Sequence, residues 1–424
     1  MVPLRLAARA LSVPNFRLYW ASQLVSLLGT WMQTVALSWL VLEVTDSPLA
    51  LGTLIACQFA PYPLFSLYGG VLADRIPKHR LLIYTQLIML AQALGLAALT
   101  LVPHPPIWLL YVLAAVFGVA EAVDNPTQQA FVQELVGPEN LPNAIALNST
   151  QFTIARIVGP GIGGVLVAAF GARTVFLINA VSFLVVIAAL TRLRVDQLQE
   201  PRRRDPGSAW EQIKAGISYG VHAPQTAGVL LLAFVLGTFG YNFVAILSMV
   251  AKYVLDAGPA GYGGITSAVG VGSLLASLTL AALGRESRLV LIMGAGAFSL
   301  CILGLGLSHS DAVTIAILLV WGFADILFFA GANTQLQLDT PPEMRGRLMS
   351  LYMLGMNGTT PIGSLLLGFL ASHYNPRVAI SAMGAICLVG VLAAAGLALR
   401  TGVLVRPAVP QWLDFHSWLP RHRH

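Results

Sequence analysis

Polar residues cluster at intervals along this chain, and between the clusters run apolar stretches too long and too uniform for amphipathic surface helices. A helix that is apolar all round is buried in a core or spans a membrane, and about 20 such residues cross the hydrocarbon layer. The pattern predicts twelve membrane helices, at about 17–41, 49–72, 81–102, 107–130, 143–169, 174–192, 226–250, 260–283, 289–307, 312–333, 347–371 and 378–399. Only one connection is long. The segment 193–222, within the stretch "RLRVDQLQEPRRRDPGSAWEQIKAGISYG" (192–220) and just beyond it, is basic and broken by proline, and its part from Ser208 to Tyr219 reads as an amphipathic helix on the membrane surface. It divides the chain into a bundle over 1–192, the linker 193–222, a bundle over 223–400 and a tail over 401–424.

Composition supports lipid as the solvent. Of 424 residues, 57% are hydrophobic and 10% charged, against about 25% charge in soluble domains. Placing the N-terminus in the cytoplasm puts 20 of the 24 Lys and Arg on the inner side, leaving Arg173, Lys252 and Arg377 outside and Arg156 inside a helix. The expectation is a multi-pass inner-membrane protein with both termini cytoplasmic, and the net charge of +6 then needs no nucleic-acid partner. The first dozen residues do not read as a cleaved leader. Cys57, Cys301 and Cys387 sit apart in apolar runs and read as small hydrophobes.

The two halves repeat. "LGTW" at Leu28–Trp31 returns as "LGTF" at Leu236–Phe239, and "VFGVAEAVDNPTQQAFVQELVGPE" returns 204 residues later as "VWGFADILFFAGANTQLQLDTPPE". Gly118 thus corresponds to Gly322, Glu121 to Asp325, and Pro138-Glu139 to Pro342-Glu343. Parallel repeats of six helices are a transporter pattern, with the substrate between the halves near the midplane.

Four ionisable residues fall within helices: Glu121, Asp124, Arg156 and Asp325. Each costs about 2.5–3.5 kcal/mol at a helix centre on insertion scales, so each must face protein or water. Glu121 and Asp325, repeat mates at matching depth, suit proton binding or, alternatively, helix packing; Asp124 lies nearer the inner surface and is expected to be solvated. Arg156, placed roughly 10 Å from the level of Glu121, is a candidate for anionic substrate groups. Polar candidates for the cavity are Gln33, Asn148, Gln151, Tyr241, Asn242, Asn333, Gln335 and Asn357, with Trp31 and Phe239 as aromatic walls. Such side chains also serve as glue between helices. No catalytic constellation, metal spacing, P-loop or cofactor motif is present, which argues against an enzyme and against ATP drive.

"GVLADRIPKHR" (Gly70–Arg80) resembles the loop signature after the second helix of the major facilitator superfamily, with Gly70, Asp74, Arg75, Lys78 and Arg80 in place and Pro77 where that family usually has Gly. "GPGIGG" (Gly159, Pro160, Gly163, Gly164) resembles the antiporter motif of the fifth helix, without its upstream glycines. The entry "NFRLYWASQLVSLLGTW" and the loop "DTPPEMRGRLMSLY" are similar to the bacterial drug and siderophore exporter branch that includes the enterobactin exporter. The resemblance implies an all-α membrane fold and proton-coupled antiport of hydrophobic or amphiphilic small molecules. Its partners would be substrate, protons and lipid, and the chain is expected to be monomeric. Symport of a specific metabolite and a non-transporting sensor are the alternatives. Topology alone accounts for Arg75, Lys78 and Arg80, whereas Asp74 is left over. Its carboxylate is expected to latch onto the start of the helix near Gly346-Arg347, accepting from free N–H groups there. Gly159, Gly163 and Gly164 are expected to pack closely against the other half.

Overall fold

In the computed structural model, which describes residues 9–199, 218–220, 223–283 and 288–401, the regular structure is helical throughout. Nine helices among the described residues are long and apolar enough to cross a membrane. The chain runs α1 (Pro14–Thr45), α2 (Pro48–Phe59), α3 (Pro61–Arg75), α4 (Lys78–Leu99) and α5 (Ile107–Thr191). It continues as α6 (Pro224–Val235), α7 (Phe243–Met249), α8 (Pro259–Leu283), α9 (Arg288–Leu307) and α10 (Asp311–Leu338), then α11 (Pro342–Met353), α12 (Thr360–His373) and α13 (Pro376–Arg400). The linker beyond Gln199 up to Ile217, with most of its expected surface helix, lies outside the described residues, as do 284–287 and the tail after Thr401.

The 85 residues of α5 are three helical stretches rather than one. Gly137 (φ 70°) and Gly171 (φ 77°) are non-helical, and both lie in the left-handed region that favours glycine. The middle stretch therefore starts at Pro138, five residues before the hydropathy pattern places it. Its repeat mate behaves alike: α11 starts at Pro342, not near 347. Proline suits a first helical turn, where its missing N–H costs nothing. The repeated Pro-Glu pairs are thus helix starts, and the polar turns that follow them hid this from a hydropathy reading.

Two helices are interrupted. Between α6 and α7 lie a π-helical turn, Leu236–Gly240, and a break at Tyr241–Asn242; a second π turn, Val250–Val254, follows α7. α11 and α12 are joined by a third, Leu354–Gly358. Single π turns inside helices are frequent at functional sites.

Packing runs mostly within each half of the chain. The main crossings between the halves are α2 with α12 and α8 with the middle of α5, with smaller ones from α1 to α7 and α8, from α2 to α7 and from α3 to the Leu354–Gly358 turn. The two largest lie toward the end of the molecule that carries Asp46 and Ser47, here the far end; the opposite, basic end carries the α3–α4 turn. At the far end Lys252 pairs with Asp46 at 2.7 Å and donates to the Leu42 carbonyl at 2.6 Å, while Tyr253 reaches Asp46 at 3.2 Å. The bond from Lys252 and then its charge hold the Asp46 carboxyl below its ordinary range. Leu49 N–H donates to Ser372 at 3.0 Å.

Among the described residues, each half has one largely buried ion pair near the basic end. Lys78, 8% exposed, meets Glu134 at 2.6 Å, and Arg288 meets Asp339 at 2.6 Å. Each ties the start of the third helix of a half to the end of the next one. Lys78 is thus more than a topology marker: its ammonium is buried and fixes α4 to α5. Removing one partner of a buried pair costs about 3–5 kcal/mol, because the other charge is left uncompensated. Lys78→Met is expected to lower the thermal midpoint in detergent by several degrees, and adding Glu134→Leu to restore most of it. A double variant no more stable than the single one would refute the pairing.

Candidate functional site

The gap between the halves is bridged at mid-depth by one ion pair. Arg156, on the middle stretch of α5, donates to Asp325 of α10 at 2.9 Å. Tyr241, at the break before α7, donates its hydroxyl to the other Asp325 oxygen. The Arg156 guanidinium also stands over the Phe243 ring, 5.0 Å from its centroid. Asp325 is 1% exposed; Arg156 keeps 23% of its side chain open. The bridge joins residues 169 apart in sequence.

Helix starts explain the meeting. Arg156 lies 15 residues from the Gly171 break and Asp325 lies 14 from the start of α10, so both sit about 21–23 Å from the far end. Glu121 is 14 residues into α5, at the same level. The expected offset between Arg156 and Glu121 does not exist, because the helix that carries Arg156 begins at Pro138, five residues before its apolar stretch.

Rings make the walls. Tyr241 stacks on Phe298 at 5.3 Å, Phe243 on Trp321 at 4.5 Å, and Phe328 closes against Tyr241 at 6.3 Å. On the opposite wall Trp31 and Phe152, both of the first half, meet edge-on at 5.9 Å. Phe152 lies one turn from Arg156 on the same helical face, toward the basic end, and is exposed, as is Ser149 beyond it. Toward the far end that stretch is packed instead: Ser267 of α8 donates to the Ile157 carbonyl at 2.8 Å. The gap is therefore open toward the basic end and shut toward the far end.

The glycine motif of α5 has two faces. A Cβ on Gly159 would stand 2.7 Å from Trp31 Cβ, and one on Gly163 would stand 2.8 Å from Met32 Cα, so both pack against α1 of their own half. A Cβ on Gly164 would stand 2.4 Å from the Pro259 carbonyl of α8, and one on Gly263 would stand as close to the Pro160 carbonyl, at 2.5 Å. Of the three glycines expected to face the other half, only Gly164 does. Four residues on a helix return to the same face, whereas the next residue is turned by about 100°.

Repeat mates share packing but not partners. Gly118 and Gly322 each abut a neighbouring backbone, at the Gln58 and Val269 carbonyls respectively. Glu121, by contrast, has Tyr62 and Asn125 as polar neighbours and no ion-pair partner among the described residues. Asp124 is not solvated as expected. It is 3% exposed and accepts from Thr85 and Gln86 of α4 and from Gln128 one turn on.

Several expected cavity residues are committed elsewhere. Gln33 donates to Gln92 at 3.2 Å and accepts from Asn179 at 2.9 Å, joining three helices of the first half. Gln151 donates to the Trp20 carbonyl, Gln335 accepts from Arg288, and Asn242 donates to the Thr238 carbonyl beside Gly363. All four are buried helix glue. Asn357 is exposed, Asn148 half-buried, and half-buried Asn333 accepts from Gln337. Phe239 is half-buried next to the Tyr241 break. In the loop signature Gly70 and Asp74 lie in α3 and Arg75 ends it; Arg75 and Arg80 are exposed. The Asp74 side chain lies outside the described residues. Pro77 caps α4 with φ −53°, so the turn needs no glycine there.

Sequence reasoning missed Phe152, Phe243, Ser267, Lys252 and Asp46. Only Lys252 carried a signal, as one of three basic residues away from the basic end.

The family described as "Transmembrane secretion effector" (MFS_3) matches residues 7–406. The staphyloferrin A transporter of Staphylococcus aureus (strain NCTC 8325 / PS 47) is 24% identical over 376 residues, spanning 86% of this chain and 92% of that protein. The enterobactin exporter EntS of Escherichia coli O1:K1 / APEC is 25% identical over 384 residues, spanning 89% and 91%. Among solved structures, a bacterial homologue of the human lysosomal transporter Spinster, inward-facing and occupied, superposes with TM-score 0.73 at 14% identity, covering 92% of this chain and 97% of that one. The nucleoside transporter NupG superposes at 0.70 with 12% identity, covering 93% and 99%.

Proposed function

Because the chain belongs to the transmembrane secretion effector family of the major facilitator superfamily, we propose that it exports anionic, amphiphilic small molecules of the siderophore kind in exchange for protons. It is a multi-pass membrane transporter and not an enzyme. The observation that carries the export reading is the Arg156–Asp325 bridge between the halves, set among aromatic rings and open toward the basic end. The excess of Lys and Arg supports assigning that end to the cytoplasm, and both termini with it. Twelve helices in two bundles, 1–192 and 223–400, then rock about this bridge.

In the cytoplasm-open state an anionic group of the substrate competes with Asp325 for Arg156, while the rings take its apolar part. Freed of its cation, Asp325 remains bonded to Tyr241 and takes a proton as the halves part at the far end. Glu121, with no ion-pair partner among the described residues, is the second proton carrier. One charge moving down 100 mV supplies about 2.3 kcal/mol, enough for a modest substrate gradient. The names of the two siderophore transporters support the substrate class. With the far end open, Asp74 latches onto the first turn of α11, which begins at Pro342.

Inverted membrane vesicles test this. Acidifying their interior is expected to drive accumulation of siderophore-like anions, with a protonophore abolishing it and Arg156→Ala reducing it at least tenfold. Glu121→Gln is expected to retain exchange but lose part of its response to the pH gradient, Asp325 being the other proton carrier. Accumulation that needs the opposite gradient would establish symport instead, and binding without flux a sensor.

A further inference from the structure

A groove on the outer side of the first half takes no part in the central bridge. It encloses about 570 Å³ between α1 and the last two stretches of α5, with Leu28, Met32, Ile162, Leu166, Leu177 and Ile178 among its walls. Gly159 and Gly163 approach α1 at Leu28 and Met32, so the groove follows the edge of that seam. Gly164 faces α8, and Ile162, two residues before it, is turned by about 200° to the other side of its helix. The groove therefore opens to lipid and not to the second half. Among the described residues that line it, Thr174 and Ser182 carry the polar side-chain oxygens. Both hydroxyls donate within their own helix, to the Phe170 and Asn179 carbonyls at 3.0 and 2.7 Å. Burying an unpaired polar group there is costly, so the part of a ligand that lies inside is hydrocarbon.

Its length matches one leaflet. The wall from Thr174 to Val185 runs about 16 Å at 1.5 Å per residue, and half of the hydrocarbon layer is about 15 Å. Its mouth lies at the far end. One turn beyond Leu166 stands Phe170, and one turn before Leu177 stands Arg173, both exposed on the ridges that carry the walls. A ring and a cation at that depth mark the level of lipid headgroups. The basic residues away from the basic end are Arg173, Lys252 and Arg377. Lys252 is held by Asp46, and Arg377 donates to the Ser308 and Val254 carbonyls. Arg173, the repeat mate of Arg377, has no hydrogen-bond or ion-pair partner among the described residues; neither Glu43 nor Asp46, the acids at this end of the first half, pairs with it. It also lies in the first turn after the Gly171 break, where the helix dipole adds to its positive charge. An apolar trough one leaflet long thus ends at an unspent guanidinium.

We propose that this groove is a binding site for a membrane phospholipid of the far leaflet, with its phosphate on Arg173 and one acyl chain laid along α1 and α5. The planar fork of arginine matches phosphate oxygens two at a time. The chain takes the place of the loosely ordered lipid that would otherwise cover Ile162, Leu177 and Ile178, and it rests on the same two residues of α1 that receive Gly159 and Gly163. The site does not rest on the export reading, since lipid binding is measurable without transport.

The test is the thermal midpoint of the full-length protein in detergent, titrated with dioleoyl phosphatidylglycerol. A ligand that binds only the folded state raises stability with its concentration, so the midpoint should climb by a few degrees and then follow the lipid. Arg173→Gln is expected to need about tenfold more lipid for the same climb, the loss of one charge-assisted contact being worth roughly that factor. Ile178→Trp, which fills the groove, is expected to abolish the climb. Val181→Trp, on the rim at a position 58% exposed, serves where Ile178→Trp does not fold. Dioleoylglycerol and inorganic phosphate separate the two parts of the ligand, and neither alone should match phosphatidylglycerol. An equal climb with dioleoylglycerol would mean an apolar occupant, and one with inorganic phosphate a free anion; either overturns the phospholipid site. So would no climb in the wild type, or a climb that survives unchanged in Arg173→Gln and in the tryptophan variants.

Discussion

Asp325→Asn is expected to lower transport at least tenfold while leaving membrane insertion intact. Asparagine keeps an acceptor for Tyr241 but removes the charge that balances Arg156. Breaking a buried pair by one partner costs about 3–5 kcal/mol, and because Arg156 is 23% open, water recovers part of it. About 2 kcal/mol remains, roughly thirtyfold in the equilibrium between the far-end-closed state and its alternatives. The far end can be read directly, since Leu49 and Ser372 touch across it. Disulfide formation between Leu49→Cys and Ser372→Cys should slow in Asp325→Asn. The double change Arg156→Gln/Asp325→Asn should cross-link faster than either single change, because no charge is left unpaired. Unchanged cross-linking together with unchanged transport would remove the bridge from the mechanism.

Gly164→Leu and Gly163→Leu are neighbours in sequence with opposite expected phenotypes. A side chain at Gly164 meets the Pro259 carbonyl and Gly263 Cα at 2.4 and 2.9 Å, backbone atoms of the other half that cannot turn aside. The far end then cannot close between the middle of α5 and α8. Overpacking costs about 1–3 kcal/mol or more, and here parting the halves relieves it. Transport should fall more than tenfold with a thermal midpoint within about a degree or two of wild type, and the Leu49–Ser372 cross-link should be lost. A side chain at Gly163 meets Met32 within its own half, where nothing moves to relieve it. Gly163→Leu should instead lower the thermal midpoint and the yield of folded protein. Matching losses of stability in both would mean that the two faces are not distinct.

Much of the fold was legible because lipid imposes local rules. Each spanning helix must satisfy its own backbone, so its apolar length is written in consecutive residues. The repeat was legible for the same reason, and the Pro-Glu pairs even carried the helix starts, although their polar first turns concealed them. The site was legible as a set of residue types. Asp325, Arg156, Tyr241 and Trp31 were all nameable, since charge and aromatic rings inside a membrane are rarely idle. Their partnerships were not. Asp124 read as solvated and Gln33 as cavity-facing, yet both are bonded inside the first half. Periodicity tells which residues share a face but not what stands opposite it.

The sequence by itself determined the membrane class, the basic end, the internal repeat and the family, each a property of neighbouring residues or of local composition. The tertiary structure alone decided that Arg156 meets Asp325 and not its repeat mate Glu121, that Lys78 is a buried counter-charge to Glu134, and that of two adjacent glycines one faces its own half and one the other. The reason is geometric. Depth depends on where a helix begins, which one glycine at φ 70° sets, and pairing depends on the rotation of helices from distant parts of the chain. A shift of five residues moves a side chain by about 7.5 Å along the axis and turns it by about 140°, enough to exchange one partner for another.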